Sequence, residues 1–476
     1  MNVILVNTPA AGSAGVSHIE GISRQLKPDV YRWIPLESLG LMSIKAYAES
    51  RLGLSIDVVN GITSGHRSAA ETWANMEDIA RRRGVPSVVG FSTIAAWEET
   101  FELASRVREK WKSAFIVLGN NFATLNHLEI SARENCFDFI CIGEGEQAFV
   151  DLIAAWRDGV DLARVGGIGW RDEKGHYRFN SPTAVDLDAL PWPARDELAV
   201  TQARGFAPAI FTSRGCPFRC TFCGTGAISG MSAGSEGYRS KSIENVVSEI
   251  EFLHNQFGIQ HYNIVDDLFL TSSLASKTRA MEFAELLIKR KLDRIEFMMD
   301  ARVDSIDREV FTALKRAGLR RVFIGIETGS EPQLIAYGKR YVERGIEPVE
   351  QINLLKELGI TVIAGMITWH PTVTPEELRQ SLRMVENTGF NDLWKLHNRL
   401  VAYAGTPLYR QLKETGLLTD SWPRGEWHFK DPRAQIMYDK LGEQLRQQPT
   451  MCFEQGRNIF LELLEDWETE LEGLRA

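Results

Sequence analysis

Three of the six cysteines, Cys216, Cys220 and Cys223, stand in one short run, Arg214-Gly215-Cys216-Pro217-Phe218-Arg219-Cys220-Thr221-Phe222-Cys223-Gly224. Thiolates are soft ligands, and an iron–sulfur cluster ordinarily takes four of them. A C-x3-C-x2-C loop supplies three, and Cys136, Cys141 and Cys452 are remote in sequence. One iron of a [4Fe-4S] cluster is then left to a ligand that is not protein. Zinc is the rival, because three Cys and a His close a tetrahedral site. No His lies in or beside the loop, and His254 is well downstream. Cys136 and Cys141 read as small buried hydrophobes, and Cys452 as structural.

The loop directly follows an apolar run, Ala209–Ser213, that opens a second series of alternating strand and helix patterns. Candidate strands continue at 262–266, 295–299, 322–326, 361–367 and 394–401, with helical segments at 243–257, 274–291, 307–317, 349–358 and 375–388. Six βα units predict a partial or full (β/α) barrel, whose chemistry sits at the C-terminal strand ends. Upstream, unalternating apolar runs at 3–7, 56–60, 87–92, 115–119 and 137–143 are spaced by helix-period segments. Such runs predict a doubly wound parallel sheet covered on both faces. The fold class is therefore α/β. We expect domains at 1–186 (with a hairpin turning at Lys174-Gly175), a Pro-containing linker at 187–205, the barrel core at 206–405 and a helical C-terminal region at 406–476.

At 476 residues, with 44% hydrophobic and 25% charged residues, the chain is globular and long enough for several domains. A net charge of −9 argues against a nucleic-acid partner, which usually meets a basic face. No run approaches the ~18 apolar residues of a membrane span, and the first residues lack a basic signal-peptide region. A soluble, cytoplasmic protein with no membrane partner is expected.

The cysteine loop, with an aromatic residue directly before its last Cys, resembles the signature of the radical SAM superfamily. Asp266-Asp267-Leu268-Phe269, Ala301-Arg302-Val303-Asp304, Gly325-Ile326-Glu327-Thr328-Gly329-Ser330 with Lys339, and Ala402–Tyr409 resemble its later strand-end motifs in the right order. The resemblance implies that the open iron binds S-adenosylmethionine (SAM) and that reductive cleavage yields a 5′-deoxyadenosyl radical. An electron donor such as flavodoxin or ferredoxin is implied as a partner. Phe222, Arg302, Glu327 and Ser330 are the expected SAM contacts. Asp266 and Asp267 are expected to face SAM or substrate, although a strand-end Asp often merely caps the next helix. Trp369, His370 and His397 are substrate candidates, and His370 is an acid–base candidate near neutral pH. The bland reading of each is a packed side chain.

The upstream domain, ending in Ile142-Gly143-Glu144-Gly145-Glu146, resembles the cobalamin-binding Rossmann domain of B12-dependent radical SAM enzymes. That resemblance implies cobalamin contacts at Ser92, Thr93, Gly119 and Gly143. Two departures stand out. Asn120-Asn121 replace the family's glycine and are expected to crowd the nucleotide tail, and His18 lacks the Asp of an axial-ligand motif, which many members of the class also lack. The leading expectation is hydrogen abstraction from an unreactive C–H bond of a polar small molecule, a specialised metabolite, followed by cobalamin-dependent C-methylation. The alternative is cobalamin-independent dehydration, deoxygenation or epimerisation of a sugar-like diol, with the upstream domain as a scaffold and His370, Asp267 and Glu327 as acid–base groups. A tRNA methylthiotransferase would carry a second Cys triad and a basic appendage, and the chain has neither. A non-enzymatic sensor has no need of a reducible open-iron cluster.

Overall fold

Buried apolar runs become the strands of the first sheet. The computed structural model describes residues 1–8, 37–66, 68–93, 96–231, 237–419, 422, 425–448 and 450–473; His18 and Pro35-Leu36 lie outside them. Strands β1 (Val3–Asn7), β2 (Ile56–Asn60), β3 (Val88–Ser92), β4 (Phe115–Gly119) and β5 (Phe139–Cys141) are parallel, in the order β2-β1-β3-β4-β5. Strands β6 (Ile168–Arg171) and β7 (Tyr177–Phe179) extend the β5 edge as the expected antiparallel hairpin. All of Val3–Val6 and Val88–Ser92 are buried because helices cover both faces. The order reverses between β1 and β3, and an open α/β sheet leaves a crevice for ligand at that switch point.

The second series contains β8 (Ala209–Ile210), β11 (His261–Ile264), β12 (Glu296–Ala301), β13 (Leu319–Glu327) and β14 (Thr361–Met366), in the order β14-β13-β12-β11-β8. The sheet is open, so the partial form of the barrel is found. A short antiparallel pair, β9 (Ser213–Gly215) with β10 (Tyr238–Ser240), leads into the cysteine loop. The expected sixth strand at 394–401 is not formed. Asp392 caps the Trp394 N–H at 3.0 Å and winds Leu393–Leu396 into a 3-10 turn, leaving only a bridge between Trp369 and Arg399. The tail is helical, with Pro432–Gln447 and Phe453–Gly473.

The chain divides into two compact units. The first comprises Met1–Pro217, Gly224–Asp267 and Arg294–Phe297; the second comprises Phe218–Cys223, Leu268–Asp293 and Met298–Ala476. Inside the first, the segment read as a linker is irregular up to Glu197 and then forms a short helix, Leu198–Ala203, and it is anchored. Leu187 and Leu190 are buried, and Arg195 pairs with Glu37 at 3.1 Å and Glu249 at 2.7 Å.

Close by in sequence, Glu197 is buried and accepts from the Ser38 N–H at 2.9 Å. Burial pushes its carboxyl up from 4.5 to about 7, against the pull of hydrogen bonds from Ser38, Asn60 and Thr63. The folded state then holds the proton more tightly than the unfolded chain, so stability falls as pH rises from 4.5 to about 7. The loss attributable to this group is about 3 kcal/mol. Glu197→Gln should flatten that decline, as read by urea unfolding of the variant and parent at the two ends of the window.

Candidate active site

A cavity of about 380 Å³ opens within the first unit at the C-terminal ends of its strands. Ser92 ends β3, Gly119 ends β4 and Cys141 ends β5, and all three line it together with Gly143. Thr93 does not: it is buried, and its hydroxyl accepts from the Ala96 N–H at 3.1 Å. Asn120 and Asn121 also line the cavity, from the first turn of the helix Asn120–Arg133. Asn120 has φ 84°, in the left-handed region that ordinary residues avoid, and its amide donates to Ser92 Oγ at 2.8 Å. Gly40 also lines the cavity, and a Cβ there would meet nothing within 4 Å, so the glycine keeps space open.

The polar wall of this cavity was only partly legible. Arg214 donates to both carboxylate oxygens of Glu146, at 2.5 and 3.1 Å, and lies 3.6 Å from Glu144. Burial alone would push the Glu146 carboxyl up, but Arg214 and the Ser43 hydroxyl outweigh it and hold the group below its ordinary range. The acidic Gly143-Glu144-Gly145-Glu146 turn was the available signal for Glu146. Nothing in the sequence marked Arg214 beyond its place ahead of Cys216. The paired aspartates separate. Asp266 is buried and accepts from the backbone and hydroxyl groups of Thr212 and Ser213, at 2.5–3.0 Å, which clasps the ends of β8 and β11. Asp267 lines the cavity and accepts from the Gly215 N–H at 3.2 Å and Thr225 Oγ1 at 2.8 Å.

The three loop cysteines are half-buried and form no disulfide, whereas Cys136 and Cys141 are buried with thiols pushed up to about 12, chiefly by burial. In the second unit the loop is pinned by its backbone. Thr221 N–H donates to Tyr337 O at 3.1 Å, Leu408 N–H donates to Thr221 O at 3.0 Å, and Phe222 packs edge-on against Tyr337 at 4.9 Å. Gly338, at φ 78°, lets that turn approach: a Cβ there would stand 3.2 Å from Arg219 O. Among the described residues, no three His, Cys, Asp or Glu side chains gather around the position of a single metal ion. Three thiols with no fourth protein ligand suit a cluster, which distributes its thiolates over separate irons and leaves one open. They suit a closed zinc site poorly.

The remaining strand-end candidates belong to the second unit. Arg302 is buried, donates to Asp304 at 2.9 Å and reaches Cys220 Sγ at 3.5 Å. Glu327 ends β13 at φ 71°, beside a register shift, and receives Lys339 Nζ at 2.6 Å. A side chain at Gly325 would strike that carboxylate at 2.3 Å, which explains the glycine. Ser330 caps the helix Glu331–Ala336 and its hydroxyl reaches Glu377 at 3.3 Å. His370 is buried with Nε2 3.4 Å from Glu377. Glu377 is below its ordinary range; burial opposes this, and the bond and charge of His370 prevail. Trp369 is fully buried, donates to Leu396 O at 2.7 Å and packs against Phe429 and Tyr438. His397 stacks on Tyr438 at 4.1 Å and contacts its carbonyl at 3.0 Å. These two aromatic residues thus share a packed cluster. One polar group escaped the sequence reading: the hydroxyl of buried Tyr341 has no hydrogen-bond partner among the described residues.

Comparisons with known proteins agree with this arrangement. Residues 210–385 match the radical SAM superfamily. An uncharacterized methyltransferase of Pyrococcus horikoshii is 27% identical over 72% of this chain and 74% of its own length. The anaerobic magnesium-protoporphyrin IX monomethyl ester cyclase of Synechocystis sp. is 29% identical over 59% of this chain and 54% of its own. The chain thus spans from about half to three quarters of these relatives. The cobalamin-dependent S-adenosylmethionine radical enzyme OxsB, solved with aqua-cobalamin and SAM bound, shares the fold over 94% of this chain and 67% of its own, with a TM-score of 0.74 at 21% identity. Residues 210–385 are thus similar to radical SAM enzymes, and the likeness supports an enzyme that uses a [4Fe-4S] cluster and SAM. No helix among the described residues is long and apolar enough to cross a membrane.

At Gly329 an added Cβ would stand 2.2 Å from the backbone oxygen of Gln380. Gly329→Ala must therefore move the turn that carries Ser330, and we expect a loss of about 1–3 kcal/mol in unfolding free energy, measured by denaturant titration. Iron content should be unchanged, since the cysteine loop is not touched.

Proposed function

We propose that this enzyme is a cobalamin-dependent radical SAM C-methylase acting on an unreactive C–H bond of a polar small molecule. The observation that carries the proposal is the cavity of the first unit. It lies at the topological switch point where α/β sheets take ligands, and its wall includes Arg214, two residues before the first cluster cysteine. Cys216, Cys220 and Cys223 would hold the cluster. Ser92, Gly119 and Gly143 would face cobalamin, with Thr93 supporting from behind. Glu327, Ser330, Arg302 and the backbone near Phe222 would serve SAM. When bound, the cluster supplies the electron that cleaves SAM to a hydrogen-abstracting radical, and cobalamin supplies the methyl group. An electron donor such as flavodoxin or ferredoxin is required, and a second SAM restores the methyl group.

A second reading rests on the pair His370–Glu377, 3.4 Å apart and largely shielded from water. Such a pair suits proton transfer, as radical dehydration, deoxygenation or epimerisation of a diol would need. In that case the first-unit cavity is a scaffold without cobalamin.

Protein prepared anaerobically with cobalamin available decides between the two. We expect about four iron and four sulfide, together with stoichiometric cobalamin, and S-adenosylhomocysteine as well as 5′-deoxyadenosine on reduction with SAM. Cluster without cobalamin would favour the second reading. Replacing all three loop cysteines with Ala should abolish iron binding and 5′-deoxyadenosine formation while leaving cobalamin content intact. Asn120→Gly should relieve the positive φ and lower the Kd for cobalamin; an unchanged Kd would show that the amide does not crowd the cofactor.

A further inference from the structure

Three restraints fix the guanidinium of Arg302 within the second unit. Nη1 donates to Cys220 Sγ at 3.5 Å, Nε donates to Asp304 at 2.9 Å, and the group lies 3.7 Å from the centroid of the Phe218 ring. Asp304 is held in turn by Arg344 at 2.7 Å. A guanidinium is a planar fork with fixed donor directions. With Nε committed to a buried carboxylate and one face covered by an aromatic ring, it cannot turn from the sulfur without breaking both contacts. Arg302 itself is buried, so its charge near the thiolate is weakly screened.

We propose that Arg302 sets the reduction potential of the iron–sulfur cluster by donating a charge-assisted hydrogen bond to the thiolate of Cys220. This is a tuning role, distinct from contact with SAM, and it rests on Cys220 being a cluster ligand. Hydrogen bonds to the sulfurs and local net charge are among the determinants of cluster potential. Reduction adds negative charge to the cluster, so a fixed cation beside a ligand sulfur favours the reduced form. Phe218 and Asp304 act through Arg302 as positioning residues, and the Asp304–Arg344 bond limits how far the acid can follow its partner.

The test compares the anaerobic holoenzyme with Arg302→Gln, in the absence of SAM. Iron and sulfide are measured first, so that failure to bind a cluster in the parent, which would overturn the ligand assignment, is seen separately. With equal loading, we expect the ratio of reduced to oxidised cluster at a fixed potential to fall at least tenfold in the variant, a shift of about 59 mV for a one-electron couple. An unchanged potential accompanied by weaker SAM binding would overturn the proposal and make Arg302 a SAM contact only. Should the variant fail to load, the parent decides: pulsed EPR of the reduced cluster in protein grown on arginine labelled with heavy nitrogen. A hyperfine coupling to the labelled guanidinium is expected, and its absence would overturn the proposal.

Discussion

The carboxylate of Glu146 fixes Arg214, and through Arg214 the short strand that leads into Cys216. The acid comes from the turn after β5 of the first sheet, and the arginine from β9. Both belong to one compact unit, so the ligand crevice of the α/β sheet and the start of the cysteine loop form a single packed body. Removing either partner from such a buried pair leaves an uncompensated charge, typically costing about 3–5 kcal/mol. Ser43 reinforces the pair by donating to Glu146 at 2.6 Å, and Phe211 lies 4.7 Å beneath the guanidinium.

The same unit uses buried charge a second time. Arg195 joins Glu37 and Glu249, and Lys241 meets Glu249 at 3.4 Å while lying 3.8 Å from the Phe211 ring. These ions bind the irregular segment after the hairpin to the first strand and helix of the second series. Apolar packing alone has no preferred direction. Paired charges do, because a misplaced member is left desolvated and unpaired. The Pro-containing stretch before the helix Leu198–Ala203, which is irregular, is thereby held in one course.

In the second unit, the site is built from turns that only particular residues permit. Glu327 takes a left-handed backbone and turns its carboxylate back over Gly325, where Lys339 meets it. Strain of this kind persists only where the surroundings impose it, and it concentrates at functional sites. The cysteine loop is secured in a similar way, by backbone hydrogen bonds to Tyr337 and Leu408 and by the close approach at Gly338. A loop whose shape depends on backbone contacts can present its sulfurs to a cofactor without rearranging.

The sequence by itself marked the three closely spaced thiols Cys216, Cys220 and Cys223 and most of the order of the elements. Spacing within the loop is local, and unbroken apolar runs such as Val3–Val6 report two covered faces without reference to any distant residue. It did not determine which strand-end groups meet ligand. Asp266 and Asp267 are neighbours of identical type, yet one clasps Thr212 and Ser213 while the other lines the cavity, because successive side chains leave a strand end in different directions. Asn120 and Asn121, which stand where the family has glycine, begin a helix, and Asn120 takes a positive φ. The run 394–401 read as a strand but wound into a turn, since the Asp392 cap and the stacking of His397 on Tyr438 outweighed its apolar character. Arg214–Glu146 and Arg302–Cys220 join residues far apart in the chain. Such pairings arise only when the tertiary structure removes both partners from water, and there a charge must find its counterpart.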